Sequence, residues 1–167
     1  SKYALPEGIS NIYEEIFRLC KEKNIRLALA ESCTGGMIAE SITNYPGVSE
    51  FFEGSIVSYS NKWKKQFLNV SEDTLKKFGA VSQECALEMV KYLAESTGAD
   101  ACVSVTGIAG PGGETPDKPI GLVYIGICYR GKTSVHSFNF SGGRENIRKR
   151  TSATALTLLR HAIIFNK

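Results

Sequence analysis

The stretch from Ile25 to Thr43 limits what this chain can fold into more than any other. A short, mostly apolar run, Ile25 to Ala30, gives way to the polar, glycine-bearing Glu31-Ser32-Cys33-Thr34-Gly35-Gly36 and then to a helical pattern from Met37 to Thr43. An apolar run that short, bounded by a glycine turn, reads as a buried strand, so the stretch is strand, tight turn, helix. Units of this kind build sheets that carry helices on their faces.

The remainder continues the alternation. Ile9, Ile12, Ile16, Leu19 and Cys20 recur at three and four residues, so 11–23 read as an amphipathic helix with Ser10 as its N-cap and Asn24 as its stop. Gly54 to Tyr59 reads as a second strand, and Ser60-Asn61 cap a short cationic helix from Lys62 to Leu68. Ser71 to Phe78 is another short helix, and Ser82 begins a longer one ending at Gly98, with Ala86, Met89, Val90, Leu93 and Ala94 on one stripe. Ala101 to Thr106 is a third strand, Gly121 to Tyr129 and Thr133 to Phe140 form a hairpin about Arg130-Gly131-Lys132, and Ser141-Gly142-Gly143 opens a last helix with the stripe Ile147, Thr151, Ala155, Leu158 and Ala162. This order predicts an α/β fold, a three-layer α/β/α sandwich on a mixed sheet of about five strands. With 167 residues, 43% of them hydrophobic, one domain over 1–167 is expected.

Charge and cysteine usage narrow the function classes. Twenty Lys and Arg against 17 Asp and Glu give a net +3, far short of the concentrated basic footprint of a nucleic-acid binder. No apolar run approaches the ~18 residues needed to span a bilayer, and Ser1 to Ser10 lacks the apolar region of a signal peptide. A cytoplasmic protein with no nucleic-acid or membrane partner is therefore expected. The five cysteines show no CxxC spacing and no neighbouring histidine, so they read as reduced thiols and no metal site is expected.

Sites in sheets of this type gather beyond the carboxyl ends of the strands, and the polar turns after residues 30, 59, 106 and 140 share that edge if their strands run in one sense. Ser32 lies between a strand and a helix opening with Thr34-Gly35-Gly36, where free amides favour a phosphate or an oxyanion; the plain alternative is a capped helix without a ligand. A serine nucleophile needs a base. His136 sits inside a strand and His161 near the end of the last helix, both read as structural or surface residues. Lysine remains, provided burial or nearby positive charge lowers its pKa. Of Lys62, Lys64 and Lys65, helical geometry lets at most one face the strand ends. Cys33 is a rival nucleophile without an obvious partner to form its thiolate.

Three further features share that edge. Tyr59 ends a strand and can orient a lysine or donate to an oxyanion. Thr106 leads into the thirteen residues from Gly107 to Pro119, with four glycines and three prolines, a loop long enough to read as functional. It is no Walker A motif, because Lys118 precedes Pro119 instead of opening a helix. Arg144 and Arg148, four residues apart, place two guanidinium groups on one helical face, suited to a phosphate or carboxylate, or else to ordinary surface ion pairs.

Six blocks taken together carry a resemblance: Ala30 to Gly36, Tyr59-Ser60-Asn61 with Lys64, Gly79-Ala80-Val81-Ser82, Thr106 to Gly113, Lys118 to Gly121, and Phe140 to Arg144. In order and in register from about Leu27 to Ala162 they resemble the CinA C-terminal domain family. The resemblance implies a nicotinamide mononucleotide amidohydrolase that converts that nucleotide and water to nicotinate mononucleotide and ammonia. It implies a serine/lysine mechanism in which Ser32 attacks the carboxamide carbon, Lys64 is the base, Tyr59 and Thr106 support the dyad, and amides near Gly35 and Gly36 hold the oxyanion. Thr34, Gly107 and Gly110 would contact substrate, and Arg144, with Arg148, would meet its phosphate or ribose. No metal or cofactor is implied; a small nucleotide is the ligand, and a homo-oligomer, most simply a homodimer, is expected.

Asn69 and Val48 depart from the family pattern, which has glycine and a small serine there. Ser49 stands as a second candidate nucleophile, and a two-residue shift of the short helix would exchange Lys64 for Lys62. The large N-terminal domain of full-length CinA proteins is missing from this sequence, so a stand-alone form is expected. A non-catalytic module that binds a phosphorylated nucleotide and a Cys33-dependent hydrolase are the competing functions.

Overall fold

The strand Leu27–Glu31 (β1) is buried at all five positions, because it is paired on both sides and covered on both faces. That is why it reads as a continuous apolar run and not as an alternating one. In this computed structural model, which describes residues 4–8 and 10–165, β1 lies between Phe52–Val57 (β2) and Ala101–Gly107 (β3), parallel to both. The hairpin Leu122–Tyr129 (β4) and Lys132–Asn139 (β5) continues the sheet antiparallel, giving the order β2-β1-β3-β4-β5.

Helices fill both faces, so the three-layer α/β/α sandwich on a five-stranded mixed sheet is the observed architecture. On one face, Ile12–Lys23 (α1), Met37–Thr43 (α2) and Gly143–Phe165 (α6) bury Ile16, Leu19, Ile38, Ile42, Leu156 and Leu159 against Leu27, Leu29, Val103 and Ile125. On the other, Asn61–Leu68 (α3), Glu72–Lys77 (α4) and Gln83–Thr97 (α5) close over the opposite side of the same strands, with Leu68, Met89, Val90 and Leu93 against Ala28, Ala30, Cys102 and Cys128. Small strand residues on this second face let α5 approach closely: a Cβ on Gly126 would lie 2.4 Å from Ser104 Oγ and 2.9 Å from the Ala86 carbonyl.

Local capping chemistry sets the helix boundaries. Ser60, Ser71 and Ser82 accept from the amides of Trp63, Thr74 and Cys85, each as the N-cap. At α1 the cap is Asn11, one residue later than expected; Ser10 instead donates its amide and hydroxyl to Glu14. Ile9, assigned above to the stripe of this helix, lies outside the described residues. Asn24, Asn69 and Gly98 end their helices in the left-handed conformation. Asparagine tolerates that conformation better than most residues, so Asn69 does the work of the family's glycine.

Strand sense decides which edge collects the candidate site residues. Since β1, β2 and β3 are parallel and β5 runs with β3, the turns after all four open on one edge. Ser49 lies exposed on the 3-10 turn Val48–Glu50 that leads into β2, at the edge opposite Ser32 and Lys64. Among the described residues, no helix is long and apolar enough to cross a membrane.

Candidate active site

Ser32 follows directly on β1 and is 8% exposed. Lys64, in the first turn of α3, is 1% exposed, and its Nζ lies 2.9 Å from Ser32 Oγ while donating to the Ser58 carbonyl at 2.8 Å. Lys62 and Lys65 are exposed, as a helix that buries one lysine of the three requires, so the two-residue shift to Lys62 does not occur. Burial holds the Lys64 pKa below its ordinary value of 10.5, because taking an ammonium out of water favours the neutral amine. Ser58 Oγ, on the residue whose carbonyl accepts from Lys64, is buried without a hydrogen-bond partner among the described residues.

The turn between β1 and α2 is organised by a residue to which sequence reasoning gave no role. Glu31, fully buried, accepts at Oε2 from Thr34 Oγ1 (2.7 Å), Gly36 N (3.0 Å) and Ile38 N (3.1 Å), and at Oε1 from Ala39 N (3.0 Å) and Ser55 Oγ (3.0 Å). The opening of α2 is thus filled by the protein's own carboxylate. This changes the roles expected of its neighbours. The Gly36 amide serves Glu31, the Gly35 amide donates to the Ser32 carbonyl at 3.0 Å, and the Thr34 hydroxyl is turned inward, so none of the three is open to an oxyanion or a phosphate. The amides of Cys33 and Thr34 have no acceptor among the described residues. The turn's positive φ values, +57° at Gly35 and +98° at Gly36, favour glycine at both positions.

Arg148 also faces the protein. Its Nε donates to the Cys33 carbonyl at 3.0 Å and its Nη2 to the Thr34 carbonyl at 2.9 Å, which fixes the turn that carries Ser32 from α6 and leaves the guanidinium no free fork for a phosphate. Thr106, 1% exposed, donates to the Ala80 carbonyl at 2.7 Å, anchoring the segment before α5 and not the dyad. Gly107 has no room for a side chain: a Cβ would lie 2.7 Å from Val123 Cγ2 and 3.2 Å from Cys33 Sγ.

A second group spans the mouth. Arg144, exposed on the first turn of α6, donates from Nη1 to the buried Gly110 carbonyl at 2.7 Å and from Nη2 to the Tyr59 hydroxyl at 2.8 Å. The Tyr59 hydroxyl thus pairs with Arg144, and the second partner of Lys64 is the Ser58 carbonyl. The two histidines line a cavity of about 260 Å³ with Ser134, Leu158 and Ala162, to which neither Ser32 nor Lys64 contributes.

Cys33 is buried, and burial pushes its thiol up to about 11. A thiol so poor in thiolate at neutral pH is no nucleophile. We expect iodoacetamide to leave native Cys33 unmodified and Cys33→Ala to keep any hydrolase activity of the chain within about threefold of wild type; intact-mass analysis with initial-rate assays checks both, and a rate that falls with alkylation would restore the thiol as a candidate.

Comparison with known proteins bears on this geometry. The model of the CinA C-terminal domain matches residues 9–163. A putative competence-damage inducible protein of Clostridium perfringens is 47% identical over 157 residues, covering 94% of this chain and 38% of the relative. A CinA-like protein of Thermotoga maritima is 52% identical over 147 residues, covering 88% and 36%. The chain therefore spans well under half the length of these curated relatives. Among solved structures, the competence/damage inducible protein CihA of Agrobacterium tumefaciens superposes with a TM-score of 0.88 at 36% identity, covering 98% of this chain and 100% of that one. A CinA superfamily protein of Klebsiella pneumoniae gives 0.88 at 28% identity, covering 93% and 99%.

Proposed function

The chain belongs to the CinA C-terminal domain family, and on that premise we propose that it hydrolyses the carboxamide of nicotinamide mononucleotide, releasing ammonia and nicotinate mononucleotide. The observation that carries the reading is the 2.9 Å approach of a buried lysine amine to Ser32 Oγ at the functional edge of the sheet. A neutral lysine can take the proton that a serine must lose to attack.

The reaction runs in two halves. Ser32 Oγ bonds to the carboxamide carbon as its proton passes to Lys64 Nζ. The oxygen of the tetrahedral intermediate turns to the amides left open in the turn, first of all that of Cys33, the residue after the nucleophile. Collapse breaks the carbon–nitrogen bond, and the Lys64 ammonium returns its proton to the departing nitrogen, which leaves as ammonia. Water then attacks the acyl-Ser32 ester with Lys64 again as base, freeing the carboxylate product and the serine. Arg144 receives the nucleotide's phosphate by exchanging the Tyr59 hydroxyl for a charged oxygen, a stronger acceptor.

Incubation with nicotinamide mononucleotide should yield ammonia and nicotinate mononucleotide in equal amounts, measured enzymatically and by chromatography. Ser32→Ala should yield neither above background. An inactive wild type, or a fully active Ser32→Ala, overturns the reading. Tight nucleotide binding by calorimetry without turnover would assign the chain to the binding modules instead.

A further inference from the structure

Glu31 is a fully buried carboxylate next in sequence to Ser32, and the reaction just described gives it no step. No ion pair among the described residues compensates its charge; five hydrogen-bond donors do, three of them amides of the turn and first turn of α2. Its backbone is equally committed, the Glu31 carbonyl accepting from the Ser58 amide at 2.8 Å. Ser58 in turn offers its own carbonyl to Lys64. One residue therefore ties together the strand that delivers the nucleophile, the helix that follows it and the segment that holds the base.

We propose that Glu31 is a positioning residue, whose carboxylate holds Thr34 and the opening of α2 so that the Ser32 hydroxyl stays at Lys64. The energetic case is geometric. With Ser32 only one residue from Glu31, a turn freed from its carboxylate relaxes at the Oγ, and a displacement of about 1 Å at a reacting atom costs about 10²-fold in rate. Glutamine at this site keeps the size but replaces one acceptor oxygen with an NH2 group. That group would point donors at the amide hydrogens of Gly36 and Ile38 or of Ala39.

The inference rests on Ser32 being the nucleophile of the proposed reaction, so its test must read Ser32 directly. Phenylmethanesulfonyl fluoride forms an Oγ–S bond as the S–F bond breaks, fluoride leaving and the hydroxyl proton passing to Lys64. Labelling of Ser32, followed by intact mass, should slow about 10²-fold in Glu31→Gln, while kcat for nicotinamide mononucleotide falls in parallel, KM stays within about threefold and the pH at which the rate bends is unmoved. A purely structural role would lower the fraction of protein that folds and labels, while the labelling rate constant of the folded fraction stays at the wild-type value. Thr34→Val, which removes one donor to Oε2 and adds none, should slow labelling about tenfold and serves if the glutamine variant does not fold. Wild-type labelling rates in both variants overturn the inference. Wild-type labelling that is fast, with slowed variants but no amide hydrolysis at all, sinks the proposed substrate and leaves the positioning role standing.

Discussion

Replacing Lys64 by methionine is expected to cut amide hydrolysis at least about 10³-fold while leaving the fold as stable as wild type, or more so. The loss follows from the proposed chemistry, since a positioned general base contributes about 10²–10⁴-fold and in that reaction the same amine also protonates the leaving nitrogen. Methionine matches the unbranched reach of lysine, so the space between α3 and the strand ends stays filled. Stability moves the other way because the wild-type chain buries an amine whose protonated form the site disfavours. The folded pKa lies below the unfolded value of 10.5, so the unfolded chain binds the extra proton. Wild-type stability therefore rises with pH through the window between the folded and unfolded values, and the penalty is fully present below the folded one. The variant lacks that rise. The lost donor to the Ser58 carbonyl offsets part of the gain. Urea unfolding at neutral and alkaline pH measures the stability side. On the activity side, the wild-type rate should climb along a single limb centred below 10.5 as Lys64 gives up its proton. A methionine variant within tenfold of wild type would remove lysine from the chemistry, whereas Lys62→Met, at an exposed position, should change little.

Why residue 64 and not 62 or 65 was within reach of the sequence. Lys64 sits four residues before Leu68, and both are buried on one face of α3. That apolar partner at helical spacing is a signal that singles out Lys64 from the residues alone, a weak one because a lysine on a buried stripe is uncommon. The serine caps at 60, 71 and 82 were legible because a cap bonds three residues away and needs nothing distant. Ser10 and Asn11 were confused for the same local reason, two adjacent cap formers competing for one helix start. Glu31 was hidden differently. An acid ending an apolar strand can face either way, and one of its donors, Ser55, comes from 24 residues along, in a strand whose pairing the sequence does not state. The partners of Thr106 and Tyr59 were hidden likewise: Ala80 and Arg144 come from elements that meet only once the sheet order is known.

The loop that presents Gly110 depends on one backbone position, and Gly121→Ala is expected to be the most destabilising single-methyl change near the site. Gly121 adopts φ +92°, and a Cβ there would lie 1.8 Å from the Phe140 carbonyl oxygen and 2.9 Å from its carbon. Those atoms are backbone and cannot rotate aside. Relief requires the return of the loop after β3 to separate from the end of β5, where the Gly121 amide donates to the Ile108 carbonyl at 2.7 Å and the Phe140 amide to the Gly121 carbonyl at 2.8 Å. The left-handed conformation costs about 1–2 kcal/mol for alanine and each lost hydrogen bond about 1 kcal/mol, so with the clash the total is on the order of 3–5 kcal/mol. For a chain of this size that lowers the melting temperature by about 10 °C. Gly131→Ala is the control: φ is +81° and nothing lies within 4 Å of its Cβ, so only the conformational cost applies. Separation at Gly121 also shifts Phe140, three residues before α6, and with it the Arg144 that spans the mouth to Gly110 and Tyr59. On the proposed function, any protein that still folds should therefore show a raised KM for nicotinamide mononucleotide with the Lys64 pH limb unchanged. Scanning calorimetry of the two alanine variants decides the matter: equal melting temperatures would mean that the contact between Gly121 and Phe140 does not hold the loop.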